Sequence, residues 1–136
     1  MKLFLYYIGK PRDSHANAMA EEYIQRSSRF IKCEMREIHP RRFDPWEKNP
    51  AAMKILLDPA GRALDSAGFI RIIDKETRDI VLIIGGSDGL PAEWKSRADL
   101  LLALSPLTMP HELARVILAE QIYRAVTTLR GHPYPR

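Results

Sequence analysis

The stretch "DIVLIIGG", Asp79–Gly86, is the strongest indication of the fold in this sequence. It places five consecutive branched aliphatic residues, Ile80 to Ile84, directly before two glycines. A strand that is apolar on both faces is typical of the centre of a parallel sheet, where helices cover each side. We therefore expect this strand to lie in the middle of an α/β domain.

Strands and helices alternate on both sides of that strand in the sequence. The other predicted strands are Lys2–Gly9, Ile31–His39, Met53–Asp58 and Leu100–Ser105, and "PAG" is expected to stop the third of them. The predicted helices run from Asp13 or Ser14 to Phe30, from Ser66 to Arg78, within "GLPAEWKSRA", and from His111 to Leu129. This order predicts one α/β domain over residues 1–136, with a mainly parallel sheet and helices on both faces.

Length and composition narrow the class of protein. The chain has 136 residues and a net charge of +4, which fits one globular domain with a moderately basic surface. No apolar run is long enough for a membrane span, and Cys33 is the single cysteine, so we expect a cytoplasmic protein without a disulfide. We expect no metal site, because the four histidines are scattered: His15, His39, His111 and His132.

Three strand ends are candidate ligand sites, because parallel α/β sheets bind ligands at this edge: those after Asp58, Ile84 and Leu104. "GGSDG" after Ile84 would let a ligand approach the backbone, but it lacks both common phosphate-binding patterns and is equally consistent with a plain turn. The segment from Ser105 to Pro110 can direct backbone polar groups at a flat ligand between the side chains of Leu104, Leu107 and Met109. The alternative is a rigid connection into the last helix.

Basic and aromatic residues suggest a nucleic-acid partner. Six cations lie within seventeen residues, and they either bind phosphates or form a solvated surface: Arg26, Arg29, Lys32, Arg36, Arg41 and Arg42. In the tail, prolines separate His132, Tyr134 and Arg136, which combine a stacking ring with a phosphate binder. The wide apolar band of the last helix predicts packing on two sides, and therefore a homodimer.

Three motifs together resemble the RlmH (YbeA-like) family: "IIGGSDGL", "LALSPLTMPHELARVILAEQIYRA" and "HPYPR". The resemblance extends over nearly the whole chain. It implies a SPOUT fold with a deep trefoil knot near the C-terminus, a homodimer, and S-adenosylmethionine as the methyl donor. It further implies methylation of N3 of a pseudouridine in the helix 69 loop of 23S rRNA, on assembled ribosomes.

The resemblance also implies roles for residues. The cofactor-binding positions would be Leu57, Gly85, Leu104, Ser105, Pro106, Leu107, Thr108 and Met109. His111, Tyr134 and Arg136 match polar positions that face the RNA side of the pocket, and they are the candidate catalytic residues. The basic cluster and the tail, by their charge and rings alone, supply the candidate RNA contacts: Arg26, Arg29, Arg36, Arg41, Arg42 and His132. Three departures accompany the match: Ser87-Asp88 after the glycines, Gly131 before the tail, and a short segment at 40–52.

The acceptor nitrogen must lose its proton during methyl transfer. We hypothesise that Arg136 stabilises the resulting anion and that His111 or Tyr134 positions the base; alternatively, His111 only begins a helix. Two other classes of function remain open at this level. One is a non-catalytic protein that binds RNA or ribosomes, and the other is a nucleotide-binding α/β protein that uses "IIGGSDG", which the missing Lys-Ser/Thr disfavours.

Overall fold

The computed structural model describes residues 1–135, so Arg136 lies outside the described residues. The strands are β1 (Leu3–Ile8), β2 (Cys33–Ile38), β3 (Met53–Ala63), β4 (Ile80–Ile84) and β5 (Leu100–Ala103). The helices are α1 (Ser14–Ser27), α2 (Pro45–Lys48), α3 (Ser66–Lys75), α4 (Ala92–Arg97) and α5 (His111–Leu129). The predicted α/β class is confirmed, and α5 has the bounds that the sequence predicted.

The five strands form one parallel sheet in the order β2-β1-β4-β3-β5. β4 lies at its centre, and all of its residues are buried. Leu82 of β4 pairs in register with Leu5 on one side and with Ile55 on the other. The continuous aliphatic run therefore has the central position that its two apolar faces predicted.

Helices cover both faces of the sheet, as predicted, but unequally. α1, α3 and α5 pack on one face around Leu5, Leu82 and Leu118. The other face is covered by short elements: Trp46 of α2 and Trp94 of α4 approach each other with ring centroids 5.9 Å apart. The segment at 40–52, predicted as mostly loop, contains α2 and lies over this second face.

The prediction that β3 stops at Asp58 was wrong, because this strand continues to Ala63. Its register against β5 shifts, so that both Leu57 and Arg62 pair with Leu102 and the residues between them bulge out. A Cβ on Gly61 would lie 2.6 Å from the carbonyl carbon of Leu101, so the close approach requires glycine. Pairing with β5 thus continues a strand that local sequence ends at a proline.

The long helix α5 connects the ligand edge of the sheet to the tail. Most of its apolar residues are buried within the chain, while Leu113 remains 47% exposed. Gly131 has a φ of +70°, the left-handed conformation that commonly follows a helix end.

Among residues 1–135, no helix combines the length and apolar character that crossing a bilayer needs. In the same range, no group of three His, Cys, Asp or Glu side chains could hold a metal ion.

Candidate active site

A cavity of about 310 Å³ opens beside the bulge of β3, at Leu57 to Pro59, and at the carboxyl ends of β4 and β5. Its walls are this bulge and the segments that follow β4 and β5, which meet because parallel strands run toward the same edge of a sheet. Every predicted cofactor-binding residue lines it: Leu57, Gly85, Leu104, Ser105, Pro106, Leu107, Thr108 and Met109. His111 lines the same cavity, so the structure brings this predicted catalytic residue to the predicted cofactor site.

The Gly85–Gly89 turn forms the floor beside β4. A Cβ on Gly85 would lie 2.7 Å from the carbonyl carbon of Gly89, and one on Gly86 would lie 3.0 Å from the carbonyl oxygen of Ile8. The amide of Gly89 donates to the carbonyl of Gly86 at 3.0 Å. The glycines are therefore required by the turn itself, and this tight turn gives the cavity its floor.

The segment from Leu104 to Pro110 forms the opposite wall. Ser105 Oγ accepts the amide of Leu107 at 2.9 Å, which shapes the turn, and the Leu107 side chain is 78% exposed. Among residues 1–135, no acceptor is found for the amides of Thr108 and Met109. Donors without partners beside an exposed apolar side chain suit a ligand that has flat apolar faces and a polar edge.

Asp58 is a cavity residue that sequence reasoning missed. Its carboxylate accepts the amide of Ala60 at 2.8 Å and pairs with Lys95 Nζ at 3.0 Å. The Ala60 amide and then the Lys95 ammonium hold the pKa of this carboxyl below its usual range. The position directly after Leu57, at a strand end, was the feature in the sequence that could have identified it.

Hydrogen bonds and stacking fix the start of α5. The Glu112 carboxylate accepts the amides of Arg12 at 2.6 Å and Asp13 at 3.2 Å, which lowers its pKa and ties α5 to the segment between β1 and α1. Arg115 is 1% exposed, and its guanidinium carbon lies 3.5 Å from the ring centroid of Tyr7. Burial lowers the pKa of Arg115. Because both contacts hold the first turn of α5, they also hold the backbone of His111 at the cavity.

The tail residues His132 and Tyr134 lie away from the cavity of their own chain. The Tyr134 hydroxyl donates to Glu120 at 2.8 Å, and its ring lies 4.4 Å from that of Tyr123. Burial and the hydrogen bond to Glu120 raise the pKa of Tyr134. Glu120 follows His111 by nine residues, or about 14 Å along the helix axis. Within residues 1–135, neither His132 nor Tyr134 lines the cavity, and the predicted role of Arg136 falls outside the described residues.

The predicted basic cluster is divided by the edge strand β2. Arg26 lies on α1, where it pairs with Glu22 at 2.6 Å, and Arg29 is exposed just beyond that helix. Arg36 lies on the opposite face of the sheet, with its guanidinium carbon 5.1 Å from the ring centroid of Phe43. Arg41 and Arg42 are exposed in the turn after β2. One run of sequence therefore supplies two separate basic surfaces.

Solved structures of methyltransferases have the same fold. A probable methylase family protein from Haemophilus influenzae Rd KW20 superposes with a TM-score of 0.65 at 10% identity, covering 99% of this chain and 70% of that one. The tRNA (m1G37) methyltransferase from Aquifex aeolicus gives 0.64 at 15% identity, covering 100% of this chain and 75% of that one. These likenesses show that the chain has the α/β fold of these proteins, with a cavity at the strand ends.

Sequence comparison identifies the family. The family model described as "Predicted SPOUT methyltransferase" matches residues 1–135. Two proteins named ribosomal RNA large subunit methyltransferase H align with all of this chain. The one from Solibacter usitatus is 60% identical over 139 residues and fully covered, and the one from Thermus thermophilus is 36% identical and 99% covered. The chain belongs to the SPOUT methyltransferase family, among the proteins named ribosomal RNA large subunit methyltransferase H, which confirms the resemblance.

Proposed function

We propose that this protein methylates N3 of a pseudouridine in the helix 69 loop of 23S rRNA, on the assembled ribosome, with S-adenosylmethionine as donor. The observation that carries the proposal is the single cavity in which Leu57, Gly85 and the 104–109 segment meet. The names of the relatives support an rRNA substrate. A solved structural neighbour, the AdoMet-bound rRNA methyltransferase from Sinorhizobium meliloti, supports the donor.

The residues present fit this donor. The cavity volume of about 310 Å³ lies at the lower end of the range for small-molecule sites, about 300–1,000 Å³. Leu57, Leu104 and Leu107 offer apolar contacts to an adenine ring. The amides of Thr108 and Met109 can donate to its polar edge. When bound, the donor supplies a methyl group that is already activated on a positively charged sulfur.

The chain's own part in the reaction is alignment and proton removal. The walls of the cavity orient the donor, and the rigid turn after Ser105 limits its motion, so that the acceptor nitrogen meets the methyl carbon in line. That nitrogen must lose its proton as the new bond forms. His111, held at the cavity by the first turn of α5, positions the base, and Arg136 stabilises the developing anion.

In this proposal, the tail of one chain contributes to the cavity of a second copy of the chain. Tyr134 is held against Glu120, away from the cavity of its own chain, so Tyr134 would act in the partner's site. A homodimer would also cover apolar side chains that the chain leaves exposed: Met19, Leu107 and Leu113. Dimerisation and catalysis would then depend on the same contacts.

The RNA would meet the basic surfaces around β2. The candidate contacts are Arg26, Arg29, Arg36, Arg41, Arg42 and His132. These contacts are few for a structured RNA, so the shape of the ribosome would contribute to selecting the nucleotide. With such a substrate, the protein would work in the cytoplasm beside the ribosomes.

Methyl transfer to isolated ribosomes tests the proposal. The protein would be incubated with labelled S-adenosylmethionine and either ribosomes that lack the modification or free 23S rRNA. We expect label at one pseudouridine N3 in ribosomes and little in free RNA. Donor binding without any label would mean another acceptor. RNA binding without donor affinity would favour a non-catalytic RNA-binding protein instead.

A further inference from the structure

A row of aromatic rings leads from the second face of the sheet to the surface at β2. Phe4 and Tyr6 of β1 have ring centroids 5.8 Å apart, and Phe43 meets Tyr6 edge-on at 5.1 Å. Arg36 pairs in register with Tyr6 and lies over Phe43. Tyr6 is buried, Phe4 and Phe43 are half-buried, and Arg36 is exposed, so the row ends at a guanidinium at the surface.

The charge around this row is mostly positive. The carbonyl of His39 accepts the amides of Arg42 and Phe43 at 2.9 Å each, which fixes the turn that carries Arg41 and Arg42 beside the ring. Among residues 1–135, no ion pair is found for Arg36, Arg41 or Arg42, whereas Arg26, Arg78, Arg97 and Arg124 all have carboxylate partners. Three acids lie nearby: Glu34, two residues before Arg36 on the same strand face, Glu37, which lies 3.6 Å from His39, and Asp44, which pairs with Arg97 at 3.9 Å. None of them pairs with the three arginines among residues 1–135.

We propose that Arg36, Arg41, Arg42 and Phe43 form a platform that binds an unpaired nucleotide of the RNA substrate outside the methylation cavity. This inference rests on the proposed function. The guanidinium carbon of Arg36 lies 5.1 Å from the ring centroid of Phe43, and the Arg36 side chain is exposed, so a base from solvent can stack on the guanidinium. Arg41 and Arg42 bind the flanking phosphates. Stacking requires an exposed base face, so the platform selects looped RNA over duplex.

The platform is separate from the cavity. β2 is the edge strand opposite β5 in the sheet order, and neighbouring strands lie about 4.8 Å apart, so roughly 19 Å separates β2 from β5. None of the platform residues lines the cavity. The platform therefore contributes to substrate binding, and the chemical step takes place in the cavity. A variant of the platform should change KM for the substrate and leave kcat unchanged.

Arg36→Lys is the decisive variant, because it keeps the charge and removes the planar stacking surface. Arg78→Lys is the matched control. Arg78 is an exposed arginine just before β4, away from the platform, and it pairs with Glu76 at 2.5 Å. We expect Arg36→Lys to raise KM for ribosomes about fivefold or more at unchanged kcat. A kcat that falls with KM unchanged, or equal effects of the two variants, would overturn the platform.

Direct RNA binding separates this inference from the proposed function. The probes are a hairpin RNA with an unpaired loop and a duplex of the same length, measured over a range of salt. We expect wild type to prefer the hairpin and Arg36→Lys to lose the preference. We expect Arg41→Gln to lower the salt slope by about 0.7 per lost phosphate contact. Equal binding of hairpin and duplex by wild type would refute the platform, whereas a platform effect without methyl transfer would refute only the proposed reaction.

Discussion

The two ends of α5 differ in how their polar groups are satisfied. At its start, the 104–110 segment leaves the amides of Thr108 and Met109 without partners among residues 1–135 and Leu107 exposed beside a cavity. After its other end, the tail folds back onto the middle of the helix, where Tyr134 and Arg124 both donate to Glu120 at 2.8 Å and the tyrosine ring packs on Tyr123. One end is open to a ligand, and the other is already closed by the chain itself.

This difference indicates which motif residues need a second molecule. Donors without partners beside apolar walls lose little when they bind a ligand, because the groups that bind it have no internal contacts to give up. The tail residues would have to exchange existing hydrogen bonds, or approach a second chain while keeping them. Variants at the cavity and in the tail test this difference. Those at the cavity should change donor affinity, and those in the tail should not.

The largest effect is expected at the glycine turn of the cavity. Gly85→Val places side-chain atoms where even a Cβ would meet Gly89 at 2.7 Å, so the turn must shift. We expect donor affinity, measured by titration calorimetry, to fall by about a hundredfold or more. Gly131→Ala is the control at the other end of α5, because a Cβ there meets no atom within 4 Å and only the positive φ is strained. Equal losses of donor affinity would contradict the separation.

Tyr134→Phe removes one hydroxyl from the tail cluster and keeps the ring. We expect the free energy of unfolding to fall by about 1 kcal/mol, the usual contribution of one hydrogen bond, with donor affinity unchanged. Methyl transfer to ribosomes should fall at least tenfold if the tail serves a partner's cavity. Unchanged turnover at saturating donor would limit Tyr134 to a structural role within its own chain.

Leu107→Ala removes an apolar wall of the cavity from a side chain that is 78% exposed. We expect donor affinity to fall about threefold to tenfold with no loss of thermal stability, because the side chain is not packed in the free protein. Leu113→Ala is the matched variant, 47% exposed and outside the cavity lining. It should leave donor affinity unchanged and weaken dimerisation, as measured by sedimentation. The reverse pattern would place the ligand elsewhere.

The smallest effect concerns the Asp58–Lys95 pair at the cavity edge. The folded pKa of Asp58 lies below its usual value, so its contribution to stability is present above the unfolded pKa and is lost as pH falls through the folded pKa. We expect Asp58→Asn to cost about 0.2–1 kcal/mol at pH 7 and nothing in strong acid, in urea titrations across pH. A constant difference at all pH values would mean that the charge is not responsible.

The place of the cavity could be predicted from local features of the sequence, whereas most of its individual cofactor positions came from the family resemblance. Leu57, Gly85 and Leu104 each lie at or beside the end of a buried strand, and the ends of parallel strands meet at one edge. The C-terminal trefoil knot implied by the family resemblance, by contrast, stays a prediction. The continuation of β3 to Ala63 could not be predicted, because the proline after Asp58 indicated a strand end and pairing with the distant β5 carries the strand further.

Local sequence patterns were enough to predict the α/β class, the central position of β4, the bounds of α5 and the strand ends beside the cavity. All of these depend on periodicity, strand ends and caps, which act over a few neighbouring residues. The folded chain was needed to show that Arg26 and Arg36 lie on opposite faces of the sheet, and that Tyr134 meets Glu120 rather than the cavity. These placements depend on which face a strand presents and where a helix ends in space, and residues distant in the sequence set both.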